Sequence, residues 1–285
     1  MSKETILEVT ALNAGYGETM AVKNLSFTLS RGEILCLAGE SGCGKSTVLK
    51  ALIAADDVRY SGEARLLGTT LSTLSGKKRR AFCSEKMGMV FQSPGASFNP
   101  IRSYRKQFVE TLKSHGKYDR TTFRDQAEKA FEKVELKDAE RLLSQCPYAL
   151  SGGMNQRMAL ALAMLLGQEI LLCDEPTSAL DATIALQVAR ELKRLRDVSG
   201  ISQIVVTHNL AMAGFLADRI GIMYGGELVE MGETDQILAH PQHPYTKSLL
   251  AAVPRLGGEL KELGTVPRGK ETGDGWDASG EEGKR

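Results

Sequence analysis

The chain has 285 residues, of which 42% are hydrophobic and 25% charged, enough for one sizeable core or two small ones. With 36 Lys and Arg against 35 Asp and Glu the net charge is +1, which gives no general reason to expect a polyanionic partner such as DNA. The longest uninterrupted apolar stretch, Met158 to Leu166, falls well short of the roughly 20 residues that cross a bilayer.

The start, MSKETILEV, lacks the long apolar segment of a secretory leader, and five cysteines without metal-like spacing suit a reducing compartment, so a cytoplasmic protein is expected. Ile6 to Val9 and Val22 to Leu29 predict strands, the second closed by the turn Ser30-Arg31-Gly32-Glu33. Between them Tyr16 is flanked by Gly15 and Gly17. That leaves its ring free to stack on a flat base or, more plainly, to pack on the strands.

The apolar run Ile34 to Ala38 predicts a short buried strand and Thr47 to Ala55 a helix, so the glycines of Gly39-Glu40-Ser41-Gly42-Cys43-Gly44-Lys45-Ser46-Thr47 occupy a strand-to-helix turn. Glycines let successive N–H groups face inward, and the helix start adds partial positive charge, which together make a nest for phosphate. Lys45 is placed to reach the β- and γ-phosphates and the Ser46 hydroxyl to ligate Mg²⁺. Cys43, beside Lys45 at a helix start, is expected to ionise more readily than a buried thiol.

Ser61 to Gly68 predicts a strand, and Lys77-Lys78-Arg79-Arg80 the solvated face of a helix. Met87 to Phe91 predicts another strand, which delivers Gln92 into the loop Ser93 to Pro100. From Ser103 to about Leu143 the pattern turns helical: Phe123, Ala127, Ala130, Phe131 and Val134 recur at helical spacing with charges opposite, an insert between strands.

Ser151-Gly152-Gly153 precede a predicted helix, Met154 to Leu166, and can offer bare N–H groups to a second set of phosphate oxygens. An ordinary helix cap accounts for Ser151 equally well. Ile170 to Glu175 reads as a buried strand ending in adjacent carboxylates. Asp174 is suited to hold Mg²⁺ and Glu175 to orient and deprotonate an attacking water. Ser178-Ala179-Leu180-Asp181 opens a helix to about Val198, and Ile201 to Thr207 predicts a strand with His208 at its end. There the imidazole is either structural or in reach of a γ-phosphate. Arg219 to Tyr224 and Glu227 to Met231, joined by Gly225-Gly226, predict a hairpin.

In order and spacing these stretches resemble the ATP-binding subunits of ABC transporters. GESGCGKST at 39–47 is similar to Walker A, Gln92 to the Q-loop, LSGGM at 150–154 to the family signature, ILLCDE at 170–175 to Walker B, SALD at 178–181 to the D-loop, and His208 to the switch histidine. The resemblance implies an α/β P-loop NTPase fold: a RecA-like core, an antiparallel β subdomain and an α-helical subdomain. It implies an ATPase domain over 1–254, with the helical part about 93–155, while the tail over 255–285, rich in glycine and charge, is expected to be largely disordered from its composition. It also implies that Tyr16 stacks on adenine, that Ser46 and Gln92 ligate Mg²⁺, that Glu175 is the general base and that His208 senses the γ-phosphate. The unit implied is a dimer. Ser151, Gly152, Gly153, Met154 and Asp181 of one protomer would complete the nucleotide site of the other, a second copy or a related ATPase.

FQSPGASFNP at 91–100, Met154 in place of glutamine and HPQHPYTKSLLAAVP at 240–254 resemble the peptide and nickel importers of bacteria. Their ATPases work at the cytoplasmic face of the inner membrane with two permease subunits and a solute-binding protein. Asn155 departs from the basic residue often found there, a change expected to alter the signature face. Some relatives bind an iron–sulfur cluster after the HPYT segment, and with no cysteine beyond Cys173 none is expected here. The alternative within the same family is the ATPase of a soluble complex such as carbon–phosphorus lyase.

Overall fold

The structure, a computed structural model, describes residues 4–90, 98–178 and 182–252. In chain order, β1 (Thr5–Tyr16) and β2 (Thr19–Ser30) form a long hairpin, and β3 (Ile34–Ala38) runs through the glycine turn into α1 (Lys45–Leu52). Then come β4 (Arg59–Leu66), β5 (Thr69–Thr70), α2 (Gly76–Lys86) and β6 (Met87–Val90). Four helices follow: α3 (Tyr104–Ser114), α4 (Phe123–Lys133), α5 (Ala139–Ser144) and α6 (Gly152–Leu165). The chain returns through β7 (Ile170–Asp174), α7 (Ala182–Ser199), β8 (Ser202–Thr207) and α8 (Leu210–Leu216). It closes with β9 (Arg219–Tyr224), β10 (Glu227–Glu233), α9 (Thr234–Ala239) and α10 (Pro244–Ala251).

The strands make two sheets. One is antiparallel, in the order β2-β1-β4-β5, and the other runs β10-β9-β3-β8-β7-β6. In the second sheet every pair from β9 to β6 is parallel, and only β10 is antiparallel to its neighbour. Its strands are short and apolar because both faces are covered. Alternate residues of β3 enter different cores, Ile34, Cys36 and Ala38 on the helix-rich side, Leu35 and Leu37 on the side shared with α1 and the antiparallel sheet. The same parity splits Leu171 and Cys173 from Ile170 and Leu172 in β7. In a sheet of this kind the loops at the carboxyl ends of the parallel strands form the working edge. Here those loops carry the glycine turn after β3, Glu175 after β7 and His208 after β8.

Two expectations are corrected by packing. The first hairpin runs from Thr5 to Ser30 rather than in two short strands, because register shifts between Val9 and Leu12 and between Leu12 and Ala14, with Ala11 at φ 50°, break the alternation that the sequence pattern relies on. The basic cluster is not wholly solvated: Arg79 is buried, its guanidinium 3.9 Å from the Tyr60 ring centroid, while Arg80 pairs with Asp56 on the surface.

The helical segment between β6 and β7 is organised by aromatics. Tyr104 and Phe108 of α3 are fully buried, with Phe98 4.9 Å from Tyr104 and Phe131 of α4 6.2 Å from Phe108, both edge-on. Such pairs add about 0.5–1.5 kcal/mol each beyond the area they bury. On α6, Arg157 reaches across to Glu191 of α7, its Nε donating at 2.7 Å. That partly buried pair ties the helical segment to the helix that follows β7.

Candidate active site

The glycine turn is shaped by what presses on it. A Cβ on Gly44 would lie 2.4 Å from the Ala21 carbonyl oxygen, and one on Gly39 2.2 Å from that of Met223, so neither position can carry a side chain. Gly42 and Gly44 also have φ of 82° and 100°, in the left-handed region. Gly44 caps α1 without a side chain, and the first turn of the helix holds no acid. Its N–H groups are therefore available to an anion.

Lys45 is 4% exposed, and its ammonium donates to the carbonyls of Gly39 (2.8 Å) and Glu40 (2.7 Å), which satisfies a buried charge at the mouth of the turn. The Ser46 hydroxyl donates to Asp174 Oδ1 at 2.7 Å. A hydroxyl from the first turn of α1 and a carboxylate from the end of β7, both hard oxygen donors, meet here. This donor set fits Mg²⁺, which takes one or two carboxylates and shares the rest of its shell with phosphate and water.

Glu175 follows Asp174 with φ 46°, an uncommon backbone for a glutamate. Its N–H stays on the sheet, donating to Val206 at 3.0 Å, while its carboxylate turns to His208 Nδ1 at 3.1 Å. The glutamate side chain is 20% exposed and the histidine 55%, so the pair stands at the rim with one side open to water. A carboxylate held by an imidazole beside the phosphate nest is equipped to take a proton from water.

The structure thus brings Lys45, Ser46, Asp174, Glu175 and His208 together, from loops that the sequence separates. Tyr16 ends β1, is 39% exposed, and has Lys50 5.3 Å from its ring centroid. Glu40 and Ser41 are exposed at the outer rim of the turn, and Thr47 is buried in the first turn of α1. Ser151 caps α6, accepting the Met154 N–H at 3.3 Å, and Gly152 and Gly153 form the first turn of that helix rather than preceding it. Among the described residues, a Cβ on either glycine would meet nothing within 4 Å. Gln92 and Asp181 lie outside the described residues, as does 255–285.

Two readings change. Burial pushes the Cys43 thiol above its ordinary range, outweighing the pull of the Lys45 ammonium in the other direction, so the easily ionised thiol expected from its place in the turn is not found. Asn155 does not alter the signature face directly, because it is buried: it accepts from the Tyr104 hydroxyl and donates to the Pro147 carbonyl at 3.1 Å. One contact had no local signal. Tyr245, 205 residues beyond Glu40, reaches the glycine turn with its hydroxyl, and nothing in a linear pattern marks that meeting.

A family profile described as ABC transporter matches residues 22–178, and one described as the C-terminal region of oligopeptide/dipeptide transporters matches residues 229–275. A protein of Brucella abortus (strain 2308) named for peptide import ATP binding is 37% identical over 92% of this chain and 81% of its own length. The glutathione import ATP-binding protein of Escherichia coli O1:K1 is also 37% identical, over 88% of this chain and 42% of the longer relative. Among solved structures, the ATP-binding cassette MJ0796 in a dimeric state bound to ADP and phosphate superposes with a TM-score of 0.67 at 28% identity, covering 80% of this chain and 99% of that one. The structure of cbiO1 from Clostridium perfringens gives a TM-score of 0.73 at 24% identity over 84% of this chain and 92% of that one, a likeness of fold. On these matches, and with a phosphate-binding turn set against paired carboxylates, the chain belongs to the ATP-binding, ATP-hydrolysing subunits of ABC transporters.

Proposed function

We propose that this subunit energises a bacterial importer whose cargo is a peptide, a nickel chelate or a related small solute, with a peptide favoured. The observation that carries the reading is the match of residues 229–275 to the C-terminal region of oligopeptide/dipeptide transporters, and the relatives named for peptide and glutathione import support it over the carbon–phosphorus lyase alternative. The partners are two permease subunits, a solute-binding protein and a second ATPase protomer. Among the described residues no helix is long and apolar enough to cross a membrane, so attachment to the cytoplasmic face of the membrane would run through the permeases. The domain division we propose is an ATPase domain over 1–254, with the helical part about 93–155 contacting a permease through the Gln92 loop.

In this reading Lys45 and the N–H groups of the turn hold the phosphates, and Tyr16 stacks on the base. Ser46 and Asp174, with Gln92, hold Mg²⁺, which when bound neutralises charge on the phosphate oxygens. Glu175 takes the proton of the attacking water, and His208 fixes the direction of its carboxylate. Ser151, Gly152, Gly153, Met154 and Asp181 face the partner's nucleotide.

The test is reconstitution in vesicles with the permease subunits and solute-binding protein that co-purify with this subunit. ATP hydrolysis should rise several-fold when the binding protein carries a short peptide and vanish with Lys45→Ala, because the charge on the phosphates is lost. Stimulation by a nickel chelate and not by peptide would reassign the solute. No stimulation by any loaded binding protein would sink the importer reading.

A further inference from the structure

The segment His240 to Ala251 has no role in the proposed chemistry beyond the contact of Tyr245 with the glycine turn, yet it is anchored with care. Glu230 of β10 accepts the N–H groups of Gln242 (2.7 Å) and His243 (3.1 Å). His243 then caps α10, its Nδ1 accepting the Tyr245 N–H at 3.2 Å, and Pro244 takes the first helical position, where a missing N–H costs nothing. These fixed points set Tyr245 into the protein, 3% exposed, with its ring centroid 4.3 Å from that of Tyr224. Tyr224 ends β9, directly after Met223, whose carbonyl is the group pressed against Gly39.

From this position the Tyr245 hydroxyl accepts the Glu40 N–H at 3.1 Å. That N–H and the Gly39 carbonyl belong to one peptide group, and the Gly39 carbonyl is where the Lys45 ammonium donates at 2.8 Å. One peptide plane at the entry of the phosphate turn is therefore held at both ends, by a tyrosine on its N–H and by the phosphate-binding lysine on its C=O. Burial pushes the tyrosine hydroxyl up to about 12, so it remains a neutral acceptor across the working range.

We infer that Tyr245 is a positioning residue for the phosphate turn: it fixes the Gly39–Glu40 peptide and, through it, the place from which Lys45 meets the nucleotide. The HPYT segment acts as a strut from the β9–β10 hairpin to the phosphate turn. The inference rests on that turn holding the nucleotide's phosphates. Because the turn grips phosphate in ground and transition states alike, losing the strut weakens uniform binding, which raises KM and leaves kcat in place.

The experiment compares the full-length wild type with Tyr245→Phe, which keeps the ring against Tyr224 and removes only the hydroxyl. Calorimetric titration with ADP, which is not turned over, should show Kd about 3- to 10-fold weaker, the range expected for one lost hydrogen bond. KM for ATP should rise in parallel, with kcat within about twofold and the melting temperature without nucleotide lowered by no more than about 4 °C. A purely structural tyrosine would instead leave ADP affinity within twofold of wild type, and that result overturns the inference. Failure of the wild type itself to bind ADP would fault the phosphate turn and not the strut. Should the variant not fold, amide exchange in the wild type decides: the Glu40 N–H should be protected at least about tenfold over an open loop amide, and exchange at the open rate overturns the proposal.

Discussion

Glu175 carries the tightest local demand in the site. A left-handed backbone costs a residue with a Cβ about 1–2 kcal/mol, and at φ 46° it is held by the N–H bond to Val206 and the imidazole of His208. The chain accepts that cost where the carboxylate leaves the line of the strand and meets His208. Adjacent acids after an apolar run were readable in the sequence, as was a histidine closing another strand. Their pairing was not, since it depends on β7 and β8 lying side by side in register. Glu175→Gln keeps the side chain's volume and removes its basicity. Hydrolysis should then fall by about 10²–10⁴, the usual contribution of a positioned base, while ADP affinity measured by titration stays near wild type. Turnover within a few-fold of wild type would remove Glu175 from that role.

At the scale of elements, legibility followed the length and regularity of the pattern. The five buried runs of the parallel sheet and the amphipathic stripe of α4 could be read because burial on two faces, or on one stripe, leaves an apolar signature. The bulged β1–β2 hairpin could be read only in part, and α8 to α10 were too short to show a period. The anchoring of α10 likewise depends on a single carboxylate whose partners sit a dozen residues away. Burial on its own would raise the Glu230 carboxyl, but the Gln242 N–H, the nearby Thr246 hydroxyl and the His243 N–H together outweigh it and hold it below its usual range. A carboxyl depressed in the folded state contributes stability that is present above its unfolded value of about 4.3 and lost as pH falls through the folded value. Glu230→Gln should therefore melt lower than wild type at pH 7, by about 1 kcal/mol of stability for a half-exposed charged acceptor. The gap should close as pH drops below about 4, in thermal melts recorded across that range. A gap that stays constant with pH would show that the carboxylate's charge is not what holds α10.

At the scale of the whole molecule, one chain contains two glycine-bearing helix starts that the fold sets on different elements: the glycine turn before α1 and the first turn of α6. The turn before α1 has its lysine, hydroxyl and carboxylates assembled around it. Among the described residues, the start of α6 has its own cap and open space over Gly152 and Gly153. The two-copy arrangement proposed above calls for an exposed helix start that a partner's nucleotide could meet, and a 28% identical cassette was solved as a dimer with ADP and phosphate. Because a Cβ at Gly153 touches nothing, Gly153→Asp tests this without disturbing the fold of the single chain. In the Glu175→Gln background, ATP should shift the protein from one copy to two in light scattering during gel filtration. Adding Gly153→Asp sets a carboxylate against the partner's phosphates, and like charges in contact cost several kcal/mol, so the dimer should weaken by about 100-fold or more. ADP affinity of the single copy should be untouched, since α6 packs chiefly on α4 and β6. Loss of ADP binding in that variant would mean that the start of α6 serves the nucleotide of its own chain, and an undiminished dimer would mean that it serves none.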